Sequence, residues 1–172
     1  LGNGTASNLT NTDITALGLA ATINDTEELK LFNEVLDKAS ASSVDTASKV
    51  ANIASIVDNI ATLAAGGTVT PALTETDFAT IGITGVTASN LAIVNSYINS
   101  TADDGTGIDT LSEIQALVNA VVKITLLSDG TLGNGTASNL TNTDITALGL
   151  ASTINDTEEL KLFNEVLDKA AA

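Results

Sequence analysis

The sequence predicts an all-α protein of tandem three-helix half-repeats packed into an elongated helical bundle array. Three observations carry that expectation. Thr or Asp followed three residues later by Asp or Glu recurs along the chain, the pattern of an N-terminal capping box. Apolar residues then follow at spacings of three and four, which puts them on one helical face. The whole pattern also repeats at two scales. Residues 1–39 return at 132–170 with one change, Ala21 becoming Ser152, an offset of 132 − 1 = 131. Within that period "LTNTDITALGL" at 9–19 aligns with "LTETDFATIGI" at 73–83, an offset of 73 − 9 = 64. "VDTASKVANIASIVDNI" at 44–60 aligns with "IDTLSEIQALVNAVVKI" at 108–124 at the same 64. Apolar cores tolerate many volume-conserving swaps, so the near-identity of the long repeat records recent duplication.

The first segment of each copy is a short helix. Leu9, Thr10, Asp13 and Ile14 fall at N′, N-cap, N3 and N4, which combines a capping box with a hydrophobic staple. Leu73, Thr74, Asp77 and Phe78 repeat the arrangement, as do Leu140, Thr141, Asp144 and Ile145. Gly18, Gly82 and Gly149 suit the left-handed position after a helix, each followed by an apolar residue that folds back. Two turns of helix do not persist alone, so these segments must be clamps packed on neighbours.

The second segment starts at Asp25 with Glu28 as its box partner, and Leu29, Phe32, Val35, Leu36 and Ala39 share a face. Glu34 and Lys38 form an i,i+4 pair. In the middle copy Val86, Thr87, Asn90 and Leu91 supply the start, and Leu91, Val94, Tyr97 and Ile98 the face. The third segment is the longest. Val50, Ile53, Val57, Ile60 and Leu63 line one side, widened by Ala54 and Ile56. Its counterpart uses Ile114, Leu117, Val121 and Ile124, opened by Thr110 and Glu113. The Gly/Thr/Asn-rich stretches 65–72 and 128–139 read as linkers.

Three helices per half-period give about eight in the chain. The units are a first half-repeat at 1–67, a second at 68–131, and at 132–172 the first two helices of the next. A half-period alone would bury only about 60% of its surface, so adjacent halves are expected to pack on one another.

Composition narrows function. The net charge of −15 opposes binding to nucleic acid or anionic membranes, and no apolar run is long enough to span a bilayer. With no His and no Cys there is no Ser-His or Cys-His pair, no thiolate zinc site and no disulfide. The chain is therefore not expected to be an enzyme. "GNGT" at 2–5 and 133–136 follows no strand and lacks a nearby Lys, so it makes no phosphate cradle. One loop is suggestive. In "TADDGTGID", residues 101–109, Asp103, Asp104 and Asp109 are candidate calcium ligands among glycines. Standard calcium-loop spacing is not met, because position twelve falls on Ile114 or Gln115. The competing reading is a solvated turn with Asp109 near a helix N-terminus.

Residues 80–123 carry an Ile81-Gly82-Ile83-Thr84 turn and an Asn90-Leu91-x-x-Val94-Asn95 helix. They also carry an Asp-Thr-Leu-x-Glu-Ile-Gln helix beginning at Asp109. This segment resembles a repeat type of very large secreted bacterial surface proteins, including giant adhesins of the repeats-in-toxin class exported by type I secretion. The resemblance implies an extracellular extender region at the bacterial cell surface, without catalytic role. The calcium-binding nonapeptide repeats of that class are absent here. The expected function is a spacer that projects a distal binding domain. Its partners would be neighbouring repeats of the same chain, with no nucleic acid, no membrane insertion and a monomeric state. Two alternatives stand beside it: a ligand-binding adhesion module acting by avidity, and a calcium-rigidified linker.

Overall fold

A computed structural model describes residues 8–101, 107–128 and 139–170, and the described residues are helical with no strand. The helices are α1 (Asn11–Ala16), α2 (Thr26–Lys38), α3 (Ala47–Ala64), α4 (Glu75–Thr80), α5 (Leu91–Asn99), α6 (Leu111–Leu127), α7 (Asn142–Ala147) and α8 (Thr157–Lys169). A single 3-10 turn at Ala41–Ser43 joins α2 to α3. Among the described residues the all-α expectation and the helix count both hold.

The caps form as the sequence implies. Thr10, Thr74 and Thr141 each accept from the N3 backbone, and Asp13, Asp77 and Asp144 each accept from the N-cap backbone in return. Gly18, Gly82 and Gly149 adopt φ of 74°, 86° and 71°, a region costly for any residue with a Cβ. The following Leu19, Ile83 and Leu150 donate N–H to the carbonyls of Ile14, Phe78 and Ile145 at 3.0, 2.9 and 2.9 Å, closing the Schellman loop. Asp25 and Glu28 make the box of α2.

Two starts differ from expectation. α5 begins at Leu91 with Asn90 as N-cap, although Thr87 sits where a capping residue would. The Thr87 N–H does reach Asn90 Oδ1 at 2.8 Å, but the Thr87 hydroxyl turns to Ser89 at 2.9 Å, so the box is half made and the helix starts later. At α6, Thr110 accepts from the Glu113 N–H at 3.2 Å. Its hydroxyl bonds Glu113 Oε2 at 2.8 Å, and no return bond to the N-cap backbone forms.

Four long helices close a ring: α2 packs on α3, α3 on α5, α5 on α6, and α6 back on α2. Two come from each half, so one core runs across the boundary at 67/68. α7 and α8 then pack on the outer side of α6, and the buried cluster continues from Ile14 to Leu148. Phe32 and Phe78 are fully buried within it.

Membership of two helix contacts shifts the predicted faces. α2 buries Leu31 with Phe32 and Val35, while Leu29 and Leu36 are only half-buried. The face turns because α2 must meet both α3 and α6. α3 buries most of its predicted stripe, with Ala61 and Ala64 added. α6 buries Leu111, Val118, Ala120 and Leu127 beyond the expected residues and leaves Ile124 half-buried, since it touches α2, α5, α7 and α8.

Candidate functional site

The candidate site is the set of contacts that ties one repeat to another, beginning with how each copy holds its own first two segments together. The residue before each short helix lies outside the helical ladder, so its N–H and C=O need partners. Asn33 on α2 supplies both: the Leu9 N–H donates to Asn33 Oδ1 at 2.8 Å, and Asn33 Nδ2 donates to the Leu9 carbonyl at 3.0 Å. Asn164 on α8 does the same for Leu140 at 2.8 and 3.0 Å, here buried. In the middle copy Asn95 Nδ2 reaches the Leu73 carbonyl at 3.4 Å, and its buried Oδ1 lacks a hydrogen-bond partner. Sequence reasoning missed this brace as a brace. The available signal was an Asn in mid-helix in all three copies, a residue that competes with the helix unless its amide is used elsewhere.

The first and second halves are joined through Glu34. Glu34 was expected to pair with Lys38. Its Oε2 instead accepts the N–H of Leu111 at 3.0 Å, across 77 residues of sequence. Leu111 is the first residue of α6, whose N–H has no intrahelical acceptor. A charge-assisted bond to that donor outweighs an exposed i,i+4 ion pair. A further link lies within the second half and joins its first and third segments. Gln115 Oε1 accepts the Thr84 N–H at 2.9 Å, and Gln115 Nε2 donates to the Thr84 carbonyl at 2.9 Å. The Ile81–Thr84 turn is thus pinned to α6.

The contact between α6 and the third copy is the most extensive. Lys123 Nζ meets the Asp144 carboxylate at 2.6 and 2.9 Å, beside buried Ile145 and Leu148. Burial would raise the Asp144 carboxyl, but Lys123 together with the Thr141 hydroxyl and N–H holds it below its ordinary value. The same residues in the first copy lack this partner. Leu17 is 53% exposed where Leu148 is 2% exposed, and Asp13 is held low by Thr10 alone. Identical sequence therefore adopts two environments, decided by whether a third-segment helix lies against it.

Of the candidate ligands in the predicted metal loop, only Asp109 falls among the described residues. Asp103 and Asp104 lie outside them. Asp109 lies immediately before the α6 N-cap, at the helix start where the competing reading placed it, but it is buried rather than solvated. It lines a small cleft alongside Glu27 and Glu28. Burial pushes the Glu28 and Asp58 carboxyls above their ordinary values. Glu28 is occupied as a cap, accepting the Asn24 N–H at 2.6 Å. Among the described residues, no group of three or more acidic, His or Cys side chains is placed to hold a metal ion. No described helix is long and apolar enough to cross a membrane. No family model, curated protein or solved structure matches the chain.

Proposed function

We propose that this chain is a segment of a tandem helical array whose role is structural. It acts as a spacer that holds a distal binding domain away from a bacterial cell surface, in the manner of giant adhesin extenders. The observation that carries the proposal is the near-identical block at 1–39 and 132–170, whose second copy docks on α6 through Asp144 and Leu148. Near-identical duplication adds length at once, provided each new copy finds the same docking surface. Recurrence of the helix pairings supports this: α3 packs on α5 as α6 packs on α8, and α2 on α3 as α5 on α6. Support for a mechanical role also comes from where the bonding groups are used. Asn33, Glu34, Gln115 and Lys123 all join one segment to another.

A half-period of this size measures on the order of 25–30 Å, so dozens in series extend a tip by roughly 100 nm. The function then resides in length and stiffness, and sequence-unrelated rods of equal length should replace it. The experiment displays a reporter domain on cells behind several periods of this repeat, and behind an unrelated helical rod of matched length. Equal capture of a reporter ligand, and equal adhesion to host or biofilm material, is expected. Adhesion lost on replacement, with reporter capture intact, would overturn the spacer reading in favour of a binding module.

A further inference from the structure

We infer that the exposed apolar face of α8 is a docking site for a helix of the α3 type, the third segment of a repeat. The natural source of that helix, a following repeat in the same chain, rests on the array reading above.

The inference follows from one 13-residue sequence in two settings. α2 and α8 are both TEELKLFNEVLDK. In α2, Leu31 and Val35 are 3% and 2% exposed; their counterparts Leu162 and Val166 in α8 are 62% and 56% exposed. Ile23 is likewise buried while Ile154 is only partly so. Sequence cannot cause this difference, so the neighbours must. α2 packs on α3, the third segment of its own half, and on α6, whereas α8 packs on α6 of the preceding half and has no third segment of its own half among the described residues. Leu31 lines a small cleft with Val57, Ile60 and Ala61 of α3 and with Ile108 and Asp109 just ahead of α6, so α3 is the helix that faces it there. A contiguous exposed stripe of Leu and Val is unusual on a finished surface. The opposite end supports the same conclusion independently: α1 leaves Leu17 exposed where α7 buries Leu148 against the third-segment helix α6.

The test appends residues 40–67 of this sequence after Ala170 of the full chain, in the register that follows Ala39. The chain has no cysteine, so a Leu162→Cys variant carries a single thiol. Labelling of that thiol is expected to slow by at least roughly tenfold on extension. It should stay fast when the counterparts of Val57 and Ile60 in the appended segment are both Asp. Amide exchange across α8 in the chain with native Leu162 gives the same answer without the substitution: slower with the appended segment, unchanged with its Asp variant. An appended segment that stays unfolded, or folds without protecting Leu162 and the α8 amides, overturns the inference. Dimensions measured against copy number separate that failure from failure of the spacer reading: arrays that still lengthen steadily lose only this junction.

Discussion

Replacing Asn164 with Ala removes both hydrogen bonds to Leu140, at 2.8 and 3.0 Å, and leaves the backbone N–H and C=O of a residue that is 2% exposed. Each buried group left without a partner costs about 1–3 kcal/mol, so the pair should cost about 2–4 kcal/mol once some water enters the vacated space. Asn33 makes the same two bonds, at 2.8 and 3.0 Å, to half-buried Leu9. Water reaches those groups more easily, and Asn33→Ala should cost about 1 kcal/mol. Asn95 makes one long bond of 3.4 Å and buries an unpartnered Oδ1, so Asn95→Ala should cost well under 1 kcal/mol or stabilise slightly. Urea unfolding followed by far-ultraviolet circular dichroism gives the three values, and amide exchange at Leu140 checks the local origin of the largest. Equal costs at all three positions, or Asn95 as the most costly, would refute the brace.

Lys123→Met removes the cation from Asp144 and should release α7 and α8, raising amide exchange there and costing about 1–2 kcal/mol for a partly buried pair. Because the Asp144 carboxyl is held below 3.8, its contribution is full above that pH and lost as pH falls through the folded value; Lys123→Met should flatten this acid limb of a stability-against-pH curve. Glu28 has the opposite sign. Its raised carboxyl costs stability as pH rises from 4.5 through the folded value, so Glu28→Gln, which keeps an acceptor for Asn24, should melt higher than the parent at neutral pH, with the gap closing below 4.5. Gly82→Ala meets no atom within 4 Å, so its cost should be the backbone term alone, about 1–2 kcal/mol by thermal melting, from holding φ near 86°.

The caps were legible because each is complete within four residues. Thr10 with Asp13 and Asp25 with Glu28 answer a demand set by the helix itself. Helical faces were legible in outline, since spacing fixes which residues share a side. Their rotation was not: Leu31 is core and Leu29 peripheral because α2 meets two partners, which depends on the packing of the other half. The contacts that join distant segments were the least legible. Glu34 had an adequate local partner in Lys38, and only the fold brings Leu111 within reach. Gln115 and Lys123 read as ordinary polar positions of a helix until Thr84 and Asp144 arrive from 31 and 21 residues away. Asp109 was recognised as a residue at a helix start, but its burial follows from the packing around the α2–α3 cleft.

Small-angle X-ray scattering on chains of one, two and four 131-residue periods tests the central claim most directly. Docking of each copy on the third-segment helix before it predicts a maximum dimension that rises by a constant increment, roughly 50–60 Å per period, with an unchanged cross-section. A maximum dimension that levels off as copies are added, or a cross-section that widens with copy number, would contradict it.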